Sequence, residues 1–307
     1  MPELPEVETT RRKIAPLLLG RTVAALATTP PSYFFLTSPT VLKRRLVGRR
    51  FEALERLGKY LLATLDDQSR LLMHLGMTGQ LFAQGSSSLR LLSSTARSTL
   101  PPEKQPDFKP DAHTHLLFSF TDGGPEVYFR DTRKFGKVLW LAPGKSDPRL
   151  DKLGPDALLV TGTLLHAAAR KRRCPIKTLL LDQSVIAGCG NIYADEACFR
   201  AAVRPTTAAN RLSRAQCDAL AVHLVAVLQR SIETGGSSIS DYVAPDGQDG
   251  SFQDERAVYD REGQACHTCG SIIRRVVIGQ RGAWFCPACQ PVSGTKSKPR
   301  RGRTHAP

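Results

Sequence analysis

Two groups of residues have types and spacing that could do chemistry. The first is the run Met1-Pro2-Glu3-Leu4-Pro5-Glu6-Val7-Glu8. A small residue after the initiator lets Met1 be removed, which exposes Pro2 as a secondary amine. An α-amino group titrates at about 7.7–8.0, so a useful fraction is neutral near pH 7. Amines add to carbonyl-like carbons, and a secondary amine can give only a cationic iminium, a strong electron sink. Glu3, directly beside it, is able to give or take the protons that such a reaction moves. A second reading, in which Pro2 and Pro5 only shape a helix start, stays open at this level. The other group is Cys266-His267-Thr268-Cys269 and Cys286-Pro287-Ala288-Cys289, two pairs with sixteen residues between them. That spacing fits a two-knuckle zinc site. Four soft thiolates close a tetrahedral shell around Zn²⁺ and leave no position for water, so the site is expected to be structural. Cys174, Cys189, Cys198 and Cys217 are scattered and read as small buried apolar residues.

The elements that must position these groups follow from the pattern of the chain. Pro5 to Leu19 reads as a helix, with Pro at its first position, Glu6 and Glu8 in its first turn and Gly20 as its stop. Strand-like runs follow at Arg50–Leu54, Tyr60–Leu65, Leu71–Leu75, Leu116–Phe120, Val127–Arg130 and Val138–Leu141. Turn signals such as Asp66-Asp67 and Asp122-Gly123-Gly124 separate them, which predicts an antiparallel sandwich or barrel. Residues 84–110 hold eight Ser/Thr and four Pro and are expected to form a mobile surface insertion. From about residue 151 the period turns helical. Ser213-Arg214-Ala215-Gln216 is a capping box, and it opens a helix that ends at Gly235-Gly236 with Leu220, Leu224, Val227 and Leu228 on its core face.

The chain has 307 residues, with 43 Lys+Arg against 28 Asp+Glu, a net charge of +15. Such an excess points to a polyanion, with nucleic acid foremost. No apolar run approaches the ~20 residues of a membrane-spanning helix, and the start has no signal-peptide pattern, so an intracellular location is expected.

Six blocks then point the same way. They are Pro2–Glu8; Leu57-Gly58-Lys59-Tyr60; His74-Leu75-Gly76-Met77-Thr78-Gly79; Asp131-Thr132-Arg133-Lys134-Phe135-Gly136; Gly190-Asn191-Ile192-Tyr193-Ala194-Asp195-Glu196; and the four-cysteine ribbon. In this order they resemble the formamidopyrimidine-DNA glycosylases, over nearly the whole chain except 84–110 and the tail. The resemblance implies an α+β multidomain protein with three parts: an N-terminal antiparallel β-sandwich flanked by helices, a helix–two-turn–helix domain and a C-terminal zinc ribbon. It implies a bifunctional DNA glycosylase/AP lyase that excises 8-oxoguanine and formamidopyrimidines from double-stranded DNA and cleaves the strand by β,δ-elimination.

Carried over by motif, Pro2 is the Schiff-base nucleophile and Glu3 the proton donor. Lys59 and Arg281 contact phosphates and serve as proton donors in the β- and δ-eliminations. His74, Arg133, Lys177 and Asn191 bind DNA, with Lys177 near the 8-oxoguanine pocket. Met77, Arg133 and Phe135 enter the duplex as void filler, partner of the orphaned cytosine and wedge. Cys266, Cys269, Cys286 and Cys289 hold one structural Zn²⁺. The basic run Arg170–Arg173 reads equally as a solvated face or as further DNA contact. The chain departs from the family at Ala283, where a hydroxyl residue often follows Gln-Arg, at 84–110, and at Ser237–Tyr242, where the damaged-base loop falls.

The expected organisation is 1–145 catalytic, with the insertion at 84–110; 151–235 helix–two-turn–helix; 236–257 base-capping region; 258–290 zinc finger; and 291–307 a basic tail. A monomer in the cytoplasm, associated with the nucleoid and not with a membrane, is expected. Two rivals stand beside this reading. One is the endonuclease VIII type, which acts on oxidised pyrimidines but usually begins Pro-Glu-Gly-Pro-Glu where this chain has Leu4. The other is a non-catalytic zinc-ribbon nucleic-acid-binding protein, which gives Pro2 and Glu3 no special role.

Overall fold

The structure, a computed structural model, describes residues 2–86, 108–238 and 242–292. Most of the insertion expected at 84–110, residues 239–241 of the 236–257 region and the basic tail from 293 lie outside the described residues. The chain forms two compact units. One comprises Met1–Val160, Asp182–Gly190 and Val225–Arg256; the other comprises Thr161–Leu181, Asn191–Leu224 and Ala257–Pro307.

The first unit opens with helix α1, Leu4–Leu18, which starts and stops one residue earlier than the sequence predicts. The Glu6 carboxylate reaches back to accept the Glu3 N–H at 2.8 Å, which fixes Glu3 as the N-cap. At the other end Leu19 is already extended and Gly20, at φ +77°, turns the chain. After α1 come β1 (Val23–Thr28), α2 (Pro39–Leu46), β2 (Phe51–Leu57), β3 (Tyr60–Leu65), β4 (Arg70–His74) and β5 (Gly79–Ala83). The remaining strands of this unit are β6 (Thr114–Phe120), β7 (Val127–Asp131) and β8 (Lys137–Leu141).

The eight strands make two antiparallel four-stranded sheets, ordered β1-β6-β7-β5 and β2-β3-β4-β8. One apolar core draws on both sheets and on Val7, Ile14 and Leu18 of α1. Its ring contacts include Phe51 against Phe118 and Phe34 against Phe129, with centroids 5.8 and 4.9 Å apart. The outer faces are covered too, Leu62, Leu72 and Leu141 in one cluster and Phe82, Tyr128 and Val243 in another.

Sequence pattern misses β1 and β5 for different reasons. A bulge between Val23 and Ala25 breaks the alternation of β1. Strand β5 is buried on both faces and has no alternation to read.

The second unit holds α3 (Gly162–Arg170), α4 (Ile176–Leu181), α5 (Asn191–Arg200) and the N-terminal part of α6 (Arg214–Glu233). The capping box of α6 forms as expected: Ser213 N–H donates to Gln216 Oε1 at 3.0 Å and Gln216 N–H to Ser213 Oγ at 3.2 Å. Leu220, Leu224, Val227 and Leu228 are fully buried. An antiparallel hairpin of β9 (Arg274–Ile278) and β10 (Arg281–Phe285) carries the ribbon. Cys189, Cys198 and Cys217 are buried, as small apolar residues would be, and Cys174 is half-buried. No helix among the described residues is long and apolar enough to cross a membrane.

Candidate active site and zinc centre

In the first unit Pro2 is buried and Glu3 is 3% exposed at the N-terminus of α1. The entry of the helix is set by backbone contact, because Leu4 N–H donates to Gly188 O at 3.1 Å. A Cβ on Gly188, which sits at φ +104°, would strike Leu4 Cδ1 at 2.5 Å. A Cβ on Gly190 would overlap the Glu3 carboxyl group. Gly188-Cys189-Gly190 is thus the floor against which the candidate carboxylate is held. Sequence reasoning gave these two glycines no role, although the Gly-x-Gly spacing was there to be read.

Glu6 is a second residue the motifs did not single out. Its carboxylate also accepts the Ser237 N–H at 2.8 Å, and its backbone carbonyl accepts the Tyr242 hydroxyl at 3.1 Å. Glu6 therefore ties the cap of α1 to both flanks of residues 239–241. Its place three residues after Glu3 was the available signal.

Lys59 lies in the β2–β3 turn beside Gly58 and is 8% exposed. His74 ends β4 with its ring 4.7 Å from that of Tyr60, and its Nδ1 accepts the Gly76 N–H at 3.1 Å. Burial, together with the ammonium groups of Lys59 and Lys137, pushes His74 down to about 4. A neutral ring whose Nδ1 accepts must carry its proton on Nε2, so His74 offers a neutral N–H donor. Met77 and Phe135 are 38% and 42% exposed, on loops whose backbones touch. Arg133 is exposed between them in sequence, its guanidinium 4.8 Å from the Phe135 ring. Tyr33, which no motif flagged, donates its hydroxyl to Arg133 O at 2.7 Å.

In the second unit Asn191 begins α5 and its Nδ2 lies 3.5 Å from the Tyr259 hydroxyl. Its Oδ1 is buried without a hydrogen-bond partner among the described residues. Lys177, expected near the 8-oxoguanine pocket, is held inside the fold. The side chain is fully buried, with its ammonium on Asp195 Oδ2 at 2.8 Å and on the Gly282 carbonyl. Its ammonium thus links α5, through Asp195, to β10, through Gly282. Trp284 N–H donates to the same Asp195 oxygen at 3.1 Å, and burial raises Asp195 to about 7 against the pull of Lys177. The pair fastens the start of β10, where Arg281 stands exposed. Ala283 is fully buried, and Arg170–Arg173 are all exposed.

The Sγ atoms of Cys266, Cys269, Cys286 and Cys289 all lie within 4.8 Å of one another, with Cys266–Cys289 at 3.9 Å and Cys269–Cys286 at 3.4 Å. Zn–S bonds of ~2.3 Å in a tetrahedron give edges of about 3.8 Å, so this donor set fits one zinc ion.

A family model described as the formamidopyrimidine-DNA glycosylase N-terminal domain matches residues 1–138. The H2TH domain of the same family matches residues 153–243. The chain belongs to the formamidopyrimidine-DNA glycosylase family. A zinc finger found in FPG and IleRS matches residues 263–292, and with the thiolate cluster it assigns one structural zinc to this glycosylase. The formamidopyrimidine-DNA glycosylase of Magnetococcus marinus is 40% identical over 295 residues, which span 94% of this chain and 99% of that protein. The one from Cupriavidus pinatubonensis is 41% identical, covering 94% of this chain and all of its own length. Among solved structures, MutM (FPG) from Thermus thermophilus superposes with TM-score 0.79 at 36% identity, covering 95% of this chain and 100% of its own. A Lactococcus lactis Fpg bound to abasic-site DNA gives TM-score 0.79 at 32% identity, over 94% and 100%. The antiparallel sheets, helical domain and zinc ribbon expected of the fold are those of formamidopyrimidine-DNA glycosylases.

Proposed function

We propose that this family member, a DNA glycosylase with AP lyase activity in base excision repair, works on oxidised purines in double-stranded DNA through Pro2 and Glu3. With Met1 removed, the Pro2 amine attacks C1′ of the extruded nucleotide, a C–N bond forms, and the damaged base leaves with the glycosidic electron pair. Glu3 gives the proton that opens the sugar ring, and loss of the Pro2 N–H leaves a cationic iminium. The iminium acidifies the C2′ hydrogens, so the 3′ phosphate and then the 5′ phosphate are eliminated. Lys59 and Arg281 bind the flanking phosphates and protonate the leaving oxygens, Lys59 as a point charge and Arg281 through its planar fork. His74 offers its Nε2–H to the DNA backbone, and Asn191 contributes its amide. Met77 fills the space of the extruded base, Arg133 faces the orphaned cytosine and Phe135 unstacks the neighbouring step, which offsets part of an unstacking cost of a few kcal/mol.

Cys266, Cys269, Cys286 and Cys289 would hold the zinc, which would brace the β9–β10 hairpin that presents Arg281. The protein works as a single chain at the nucleoid in the cytoplasm, where its substrate lies.

One observation carries this reading: Glu3, next to the only secondary amine a processed N-terminus can offer, is buried with its carboxyl group packed on Gly190. Borohydride trapping on an 8-oxoguanine·cytosine duplex tests it. The N-terminal peptide of the wild type should carry the DNA, Pro2→Gly should lose most of the adduct, and Glu3→Gln should lose base excision. A protein with a free Pro2 that binds the duplex but neither traps nor cuts it would refute the mechanism. A thymine glycol duplex run in parallel reads lesion preference.

A further inference from the structure

We infer that Asp131, with Thr78, is a positioning residue that locks the two duplex-entering loops into one rigid wedge. The inference rests on the proposed intercalating role of Met77, Arg133 and Phe135. Asp131 is fully buried at the end of β7, and its carboxylate serves both loops at once. Oδ2 accepts the Gly136 N–H at 2.6 Å, just beyond Phe135. Oδ1 accepts the Arg133 N–H at 3.2 Å and the hydroxyl of Thr78, the residue after Met77. The Thr78 Oγ1 in turn accepts the Arg133 N–H at 3.2 Å, so a three-membered network spans the two loops.

The backbone around it has no slack. A Cβ on Gly76 would overlap the backbone of Phe135 and Gly136, and one on Gly136 would meet Asp131 Oδ2 at 2.9 Å. From behind, the ring of fully buried His115 places Nε2 2.9 Å from the Asp131 carbonyl and Nδ1 3.0 Å from Thr29 Oγ1. In front, Tyr33 fastens Arg133 O, and Lys134 is held at φ +59°.

The consequence is mechanical. A wedge that unstacks bases must not yield when the duplex pushes back, and a void filler must advance in step with the wedge. Two separate exposed loops would give way independently. A shared buried carboxylate makes Met77, Arg133 and Phe135 move together, because bending either loop breaks a charge-assisted hydrogen bond shielded from water.

The test separates insertion from chemistry. Thr78→Val removes one hydroxyl at nearly constant shape, Asp131→Asn removes the charge, and Thr78→Ser restores the hydroxyl. Each is assayed in two ways: by the fluorescence of 2-aminopurine placed beside an 8-oxoguanine·cytosine pair, and by cleavage of a single-stranded oligonucleotide with a preformed abasic site. For Thr78→Val and Asp131→Asn the insertion phase and the kcat for duplex excision should fall about 10- to 100-fold. Single-strand cleavage should stay near wild type, and Thr78→Ser should recover insertion. Equal losses on duplex and single strand would overturn the inference, as would an unchanged insertion rate in Thr78→Val. Met77→Ala and Phe135→Ala serve as controls. If they leave the fluorescence signal unaltered, the intercalation reading itself fails and takes this inference with it. If they abolish it while Thr78→Val does not, only the coupling fails.

Discussion

At the scale of single residues, chemistry depends on which atoms are left free to act. His74 shows this most clearly. Its Nδ1 is occupied by the Gly76 N–H, and burial, with the neighbouring ammonium groups, holds it at about 4, so the ring stays neutral at physiological pH. The folded state then binds this proton only near pH 4, whereas the unfolded chain takes it up near 6.5. Stability is therefore present above pH 6.5 and lost as the pH falls from 6.5 towards 4, by an amount on the order of 1–3 kcal/mol for this residue. Melting the wild type and His74→Gln between pH 7 and 4.5 should show a shallower decline in the variant. An identical slope would mean that His74 does not carry the low-pH loss. Lys177 teaches the opposite lesson. By resemblance Lys177 reads as a DNA-binding lysine near the base pocket, and only three-dimensional packing shows its ammonium on Asp195 and Gly282.

At the scale of elements, local sequence specified the pieces that have local causes. The capping box of α6, the strands with clear alternation and the two cysteine knuckles were all legible, because each carries its signal in residue types spaced within a short segment. Strands β1 and β5 were not, since one is bulged and the other buried on both faces. The joint of the ribbon to the helices was not legible either, because Lys177 and Asp195 lie on α4 and α5 while Gly282 and Trp284 lie on β10. That joint makes a prediction. Lys177→Met leaves a buried carboxylate without its cation and should cost about 3–5 kcal/mol. The Lys177→Met/Asp195→Asn pair should recover part of it, and chemical denaturation measures both. A single variant as stable as the wild type would show that the pair is not a fastening.

At the scale of the whole molecule, net charge and family membership agree on a polyanionic partner. Each phosphate neutralised releases condensed counterions, so affinity for duplex DNA should fall linearly with the logarithm of salt concentration. Arg281→Ala should lower that slope by about 1 and weaken binding across sequences alike, while leaving the zinc content at one ion per chain. An unchanged slope would remove Arg281 from the phosphate contacts. The sequence by itself determined the family, the placement of Pro2 directly beside a carboxyl group, and the zinc ligands. These are fixed by residue types at short, fixed spacing. Tertiary structure alone decided that Glu6 joins the cap of α1 to residues 237 and 242, that Gly190 backs Glu3, that Asp131 binds two loops through one carboxylate, and that Lys177 faces inward. Each of those depends on atoms brought together from distant parts of the chain, where burial makes a shared hydrogen bond strong and leaves no mark in the local sequence pattern.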